Sequence, residues 1–397
     1  MEDEKYMSQA QSNKIGNLLL LGIILVATNL RAPLTAVGSL VGLIKGDLGL
    51  TAFEAGLITT IPLLCFALIS PIAPKLAAKY SIEKTVFTSL VTLTMGIIIR
   101  SLSASAWLFI GTVLIGGSIA ICNVLIPALI KKEFSHKSGV VTGMYSVSMN
   151  LSGAVASGIS FPLAEQLGFG WARALQFWAI LAIIAIIGWL PQLKGKEHLA
   201  DQGGENDTTN IWESKIAWFV TVFMGLQSLV FYVLVAWLPE ILVQNGIPAT
   251  KAGVLLSVVQ LTMLPITFVV PIIAEKQKDQ KVLVILTSIM MFLGIALLLT
   301  GNATVITLAM VFFGIGCGSA FSLAMMFFSL RTTSVKMASE LSGMAQSIGY
   351  LFASLGPIVF GGLYDLTHSW NVSLYVLLGV VLIFCGAGIG ASANKKI

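Results

Sequence analysis

The sequence predicts an all-α membrane protein with twelve transmembrane helices in two pseudo-symmetric six-helix bundles. Three observations point there: an apolar composition, apolar runs of spanning length along the whole chain, and an internal repeat half the chain long. The 397 residues are 56% hydrophobic and 10% charged, with a mean hydropathy of +0.92, where a soluble chain carries roughly 25% charged residues. Such a chain cannot clothe itself in polar surface. Spanning a bilayer takes about 20 apolar residues in a helix, and runs of about that length occur at 16–44, 55–74, 85–103, 106–130, 138–164, 174–193, 216–239, 252–274, 282–300, 303–330, 341–364 and 371–391. Lipid admits only helices or closed barrels, and the apolar–polar alternation of barrel strands is missing.

Taken in order, a tail (1–15) precedes the first six runs (16–193). A polar linker follows (194–215, "KGKEHLADQGGENDTTNIWESK"), then the second six (216–391) and a short tail (392–397). The first run is unusual because Arg31 is its only charged residue, in "ATNLRAPLT". A guanidinium is charged at any cellular pH. At about 1.5 Å per residue, Arg31 lies roughly 20 Å along the helix, too deep to reach either interface. An arginine at that depth costs at least ~3 kcal/mol on insertion scales, so the folded protein must supply a wet cavity, an acid, helix-end carbonyls or a bound anion. Pro33 frees a carbonyl one turn back and kinks the helix, and Thr28, Asn29 and Thr35 add polar groups. The four cysteines (Cys65, Cys122, Cys317, Cys385) fall inside spans without CxxC spacing and read as core residues.

Charge fixes the orientation. If the N-terminal tail is cytoplasmic, the inner segments hold eighteen Lys and Arg and the outer loops hold four, Lys45, Arg100, Arg173 and Lys251. Both termini are therefore expected inside, in a cell membrane. The net charge of +5 reflects this topology, not nucleic-acid binding. The acidic start "MEDEKYMSQAQSNK", with no small-residue cleavage site after the first run, predicts no cleaved signal peptide.

The halves repeat. A shift of 197 brings Ala55-Gly56 onto Ala252-Gly253, Pro74 onto Pro271, Lys79 onto Lys276 and Lys84 onto Lys281. A shift of 200 brings Lys131 onto Arg331, Gly143-Met144 onto Gly343-Met344, Leu151 onto Leu351 and Glu165 onto Asp365. Six spans return a chain to its starting side, so the two bundles share one orientation.

Parallel six-helix repeats joined by a central loop resemble the major facilitator superfamily, in which solute binds near the midplane between two rocking halves. The loop after helix two, "PKLAAKYSIEK", keeps Leu76, Ala77 and a basic Lys79 of that superfamily's signature but has Ala78 in place of the acid. More narrowly, "NLRAPLTAVGSL" and "FYVLVAWLPEIL" look like segments of helices one and seven in the cyanate and nitroimidazole transporter family, with Ala32 inserted between the arginine and the proline. In drug/proton antiporters a Gly-Pro motif marks helix five. Here Gly356-Pro357 lies in helix eleven and, like "GAVASG" in helix five, reads as close packing.

The resemblance implies that helices one, four, seven and ten face the central path. Arg31 then either contacts solute or pairs with Glu240, the acid nearest membrane depth. Supporting candidates are Asn29, Asn123, Tyr145, Gln227 with Phe231 at i and i+4, Trp237, Gln260, and Gln346 with Tyr350 at i and i+4. Helix five also offers Ser148 and Asn150, and Met325 and Met326 in helix ten read as packing. For each polar residue the plain alternative is an interhelical hydrogen bond worth about 0.6 kcal/mol. An arginine with amides and aromatics makes a compact, neutral-to-positive pocket, unsuited to organic cations.

The expectation is a secondary transporter of a small anionic or strongly polar solute, cyanate-like or nitroimidazole-like, working by alternating access as a monomer in the lipid bilayer. A proton-coupled drug efflux transporter of the same fold is the alternative. A receptor would carry an attached domain, an enzyme would need a polar cluster at membrane depth, and a channel would need a ring of charges. No phosphate-cradling loop is present, and no cofactor or metal is expected. Glu240 and Glu54 are the candidates for gating or proton coupling; symport, uniport and exchange all stay open.

Overall fold

The computed structural model describes residues 2–194 and 210–397. Most of the expected linker lies outside the described residues. The first six spans comprise α1 (Glu2–Asn29), α2 (Ala32–Gly38), α3 (Val41–Leu48), α4 (Ala52–Ile69), α5 (Ala73–Tyr80), α6 (Ile82–Arg100), α7 (Ser105–Glu133), α8 (Ser138–Glu165), α9 (Gly170–Gln176) and α10 (Ala179–Trp189). The second six are α11 (Lys215–Gln244), α12 (Ala249–Lys276), α13 (Lys281–Leu298), α14 (Ala303–Leu330), α15 (Val335–Thr367) and α16 (Trp370–Ala391).

The second half runs as six unbroken helices close to their predicted bounds, whereas the first half is interrupted in three spans. Span one is not continuous over 16–44: it breaks at Leu30–Arg31 and again at Ser39–Leu40, leaving α1, α2 and α3. Span two bends by 57° between α4 and α5, and span six breaks at Phe177–Trp178. Among the described residues, ten helices qualify as spans by length and composition, and the bent α4–α5 pair makes eleven. The remaining one is α8, 28 residues long but rich in Gly, Ser and Thr. Its helical period explains the low apolarity: Leu151, Val155 and Ile159 face out of the bundle, while Thr142, Ser146, Asn150 and Ser160 are buried. That is the reverse of a soluble helix, as expected where lipid replaces water.

Glycines set the tightest crossings. A Cβ on Gly111 would come within 2.4 Å of the Arg100 backbone nitrogen, and one on Gly294 within 2.7 Å of Phe313. The α6–α7 and α13–α14 pairs therefore approach at backbone contact.

An even number of spans puts both ends of the chain on one face, called here the terminal face. Near it, α8 lies along α12, and α15 lies along α4 and α7. The hydrogen bonds joining the halves sit on that side. Ser138 Oγ donates to Glu275 Oε1 (2.8 Å), Ser347 Oγ to the Ala67 carbonyl, and Gln346 Nε2 to the Asn123 carbonyl (3.0 Å). Lys131, in the last turn of α7, donates to the carbonyls of Ser329 (2.8 Å) and Thr332 and to Thr332 Oγ1 (2.9 Å). These acceptors lie at the C-terminal end of α14, where carbonyls lack helical partners and the helix dipole is negative. Its repeat mate Arg331 instead turns into its own half, donating to Gln280 Oε1 and to the carbonyls of Ala391 (2.7 Å) and Ser392 (3.0 Å). Burial lowers the Arg331 guanidinium to about 10, with Asp279 opposing the shift.

Hydrogen bonds to a charged donor contribute about 1.5–3 kcal/mol each, so the Lys131 contact is a latch between the halves. Spin labels on Lys137→Cys and Lys278→Cys, at the facing ends of α8 and α12, would report its strength. Adding Lys131→Ala is expected to enrich the longer-distance population by about tenfold or more, the factor that 1.4 kcal/mol carries. An unchanged distance distribution would show that the latch holds nothing.

Candidate functional site

The break in span one places Arg31. Pro33 has no N–H to return to a carbonyl one turn back, and the helix stops at Asn29 and restarts at Ala32. Arg31 occupies the N-cap of α2 with φ −120° and ψ −38°, and its carbonyl accepts from the backbone of Leu34 and Thr35 (both 3.0 Å). Thr35 Oγ1 donates both to that carbonyl (3.1 Å) and to Gly153 of α8 (2.8 Å). Gly153 leaves room for the arginine stem: a Cβ there would lie 3.1 Å from Arg31 Cβ.

The guanidinium points across the molecule into the second half. It lies 5.6 Å from the ring centroid of Phe231 (α11) and 5.9 Å from that of Phe321 (α14). The small cavity around it is completed by Gln227, Ser228, Tyr232, Met263, Cys317 and Tyr350. Its free volume is about 10 Å³, room for about one water molecule. The second half's aromatic rings thus close over the cation.

No carboxylate pairs with Arg31 among the described residues. Two cation–π contacts near the 6 Å limit return about 0.5–1 kcal/mol each, less than the ~3 kcal/mol lower estimate for burying the charge. Partial exposure keeps some hydration. The cation is therefore incompletely neutralised, and an electron-rich solute would complete its shell with charge-assisted hydrogen bonds.

The alternative Arg31–Glu240 pair is not formed; Glu240 is exposed near the far end of α11. Glu54 is also occupied elsewhere, since its Oε2 accepts from the backbone N–H and Oγ1 of Thr51 (both 2.8 Å) in the capping box of α4. A gating role for Glu54 thus meets a carboxylate already used to start a helix.

The other candidates divide. Gln227, Phe231 and Tyr350 line the cavity with Arg31. Tyr350 also packs edge-on against Phe66 of the first half, 4.8 Å between centroids. Asn123 and Tyr145 form a buried pair, with Tyr145 Oη donating to Asn123 Oδ1 (3.1 Å), and Gln346 joins it through the Asn123 carbonyl. Asn29 turns away, donating to the carbonyls of Leu25 (2.9 Å) and, in span six, Leu181 (3.2 Å). Trp237 is held by the Pro357 carbonyl (2.8 Å) and packs on Trp370, 5.1 Å between centroids. Neither Asn29 nor Trp237 lines the cavity: Asn29 ends α1 before the break that turns Arg31 inward, and Trp237 stands about 120° around α11 from Phe231 and nearly two turns further along. Gln260 is half-buried on α12 outside the lining. Met325 and Met326 are buried in the core.

Phe321, Met263 and Cys317 line the cavity without having been singled out. One sequence signal for them existed: Cys317 and Phe321 stand at i and i+4 in helix ten, the spacing that marks Gln227 and Phe231. In a run as apolar as 303–330 it carries little contrast.

Comparison with known proteins agrees with this architecture. The sequence profile of the Major Facilitator Superfamily matches residues 19–357. The chain is 42% identical over 380 residues to the uncharacterized transporter YycB of Bacillus subtilis strain 168, covering 96% of this chain and 94% of that one. It is 38% identical over 391 residues to the 2-nitroimidazole transporter of Escherichia coli K12 (98% and 99% covered). It is 25% identical over 370 residues to the cyanate transport protein CynX of the same strain (92% and 96% covered). Among solved structures, the proton:xylose symporter XylE superposes with a TM-score of 0.75 at 14% identity, covering 97% of this chain and 95% of that one. With a profile match over most of its length and two full-length relatives above 30% identity, the chain belongs to the Major Facilitator Superfamily and is a multi-pass secondary transporter of small molecules, not an enzyme.

Proposed function

We propose that the protein carries a small, flat, anionic or strongly dipolar solute of the nitroimidazole or cyanate type across the cell membrane, with Arg31 as its principal contact. The observation that carries this reading is a permanent cation at the junction of the halves, facing aromatic rings and no acid. A guanidinium's planar fork matches a nitro group or carboxylate with two parallel hydrogen bonds, and Phe231 and Phe321 offer faces against which a flat solute can stack. The relatives named for 2-nitroimidazole and cyanate transport support the same solute class. The asymmetry of eighteen to four cations supports cytoplasmic termini, and each chain holds a whole cavity of its own, which favours a working monomer.

The coupling follows from the lining. It contains no Asp, Glu or His, and Glu240 and Glu54 stand apart from it. We therefore read transport as uniport or exchange, with Glu240 as a gating residue at most. In liposomes, uptake of cyanate is expected to be unchanged by an imposed pH difference, and acceleration by inward proton flow would overturn the uncoupled reading.

Arg31 is tested by thermal-shift measurements on purified protein with small anions, nitroheterocycles and amino acids. A ligand that binds the folded state raises the midpoint. Removing a charge-assisted contact costs about 1.5–3 kcal/mol, so Arg31→Ala is expected to weaken the best ligand about tenfold to a hundredfold. Arg31→Lys keeps charge without the fork and is expected to fall between. Equal stabilisation of wild type and Arg31→Ala would end the binding role of Arg31.

A further inference from the structure

The carboxamide of Asn150 is buried to 7% exposure, yet neither its Nδ2 nor its Oδ1 has a protein partner. One turn earlier on α8, the fully buried Ser146 Oγ is unpartnered too. Leaving a buried polar group unsatisfied is costly, so two on one face of one helix need a reason.

Their position supplies it. At about 100° per residue, Gly139, Gly143, Ser146, Asn150 and Gly153 fall within an arc of roughly 80° on α8. The near-terminal end of this stripe is packed against the second half: Cβ atoms on Gly139 and Gly143 would meet the carbonyls of Pro271 (2.6 Å) and Phe268 (2.8 Å) in α12. Gly153 packs on the Arg31 stem. One turn further the stripe opens, with Ser157 and Gly158 exposed. Ser146 and Asn150 therefore lie between the closed contact of the halves and Arg31. Residues three apart on a helix are neighbours, which puts Asn150 beside the position where Gly153 meets the arginine.

Pseudo-symmetry points the same way. The shift of 200 that pairs Gly143 with Gly343 also pairs Ser146 with Gln346 and Asn150 with Tyr350. Gly343 repeats the packing of Gly143, with a Cβ there lying 2.9 Å from the Ser70 carbonyl of α4. Tyr350 lines the cavity. Its mate Asn150 stands outside the lining of the closed cavity, and the repeat places it on the matching face of the first half, one turn from the Gly153–Arg31 contact.

We propose that Asn150 is a solute-binding residue of the first half, assisted by Ser146, and that it reads a donor–acceptor edge on the solute while Arg31 holds the electron-rich end. This deepens the reading of the Arg31 cavity and rests on it. The solute class narrows to small planar molecules that carry both a hydrogen-bond donor and an acceptor at the end away from the nitro or carboxylate group. Bare triatomic anions would use Arg31 alone.

The test compares full-length wild type, Asn150→Leu and Asn150→Ser in thermal unfolding, without ligand and with 2-nitroimidazole. Replacing an unpartnered buried amide by an apolar group of similar shape is near neutral or stabilising. The expected result is a ligand-free midpoint for Asn150→Leu at or above wild type, and 2-nitroimidazole binding weakened about tenfold in both variants. Asn150→Ser guards against overpacking by leucine. A ligand-free midpoint that falls by several degrees in both variants would show that the amide has a structural partner, and unchanged 2-nitroimidazole binding in stable variants would show that it does not touch solute; either overturns the proposal. If 2-nitroimidazole stabilises no form, wild type included, the solute class of the Arg31 cavity is what fails. The ligand-free midpoints then decide Asn150 alone, a maintained value supporting it and a fall removing it.

Discussion

A permanent positive charge held deep inside an apolar bundle is the constraint around which this molecule is organised. From mid-span the charge cannot reach an interface. Its neighbourhood is correspondingly specialised: the helix that carries it stops at Asn29, Pro33 fits the first turn of the next helix, and Gly153 vacates the space its stem fills. Facing it are aromatic rings, not a carboxylate. An acid would have neutralised the cation permanently and left nothing for a solute to do. Rings stabilise it only in part and can move aside.

The contacts between halves obey the same logic of partial, exchangeable stabilisation. Lys131 closes the terminal face on backbone carbonyls at a helix end, and Ser138 meets Glu275. None of these is an arginine–carboxylate fork, whose rupture would be costly. Its repeat mate Arg331 is locked into its own half by three acceptors. One equivalent cation thus rigidifies a bundle while the other bridges two. With the terminal face latched, the cavity around Arg31 is reduced to about 10 Å³.

How legible the site was depended on contrast. Arg31, Gln227, Phe231 and Tyr350 stood out because a charge, an amide or a helically spaced polar–aromatic pair is conspicuous in an apolar run. Phe321 and Met263 did not, since an aromatic or a methionine among apolar residues is what any packed or lipid-facing span contains. Asn29 and Trp237 were conspicuous but face other helices, donating to Leu181 and Pro357. Asn150 was visible among the polar residues of helix five, but its lack of a partner is a property of its surroundings. The breaks at Leu30–Arg31 and Phe177–Trp178 were hidden for a related reason: periodicity registers composition, and a run stays apolar whether or not its backbone is interrupted.

The amino-acid string alone determined the twelve spans, the duplicated six-helix plan, the placing of both termini on one face and the presence of an isolated cation. Each of these follows from hydropathy, charge placement or self-similarity, quantities that are sums over residues and need no coordinates. Tertiary structure alone decided which way each polar side chain faces, that Arg31 meets Phe231 and Phe321 and not Glu240, and that the halves are joined through Lys131 on one face. Those outcomes depend on helix rotation and on contacts between residues more than two hundred positions apart, and a pattern read along one dimension carries no information about either.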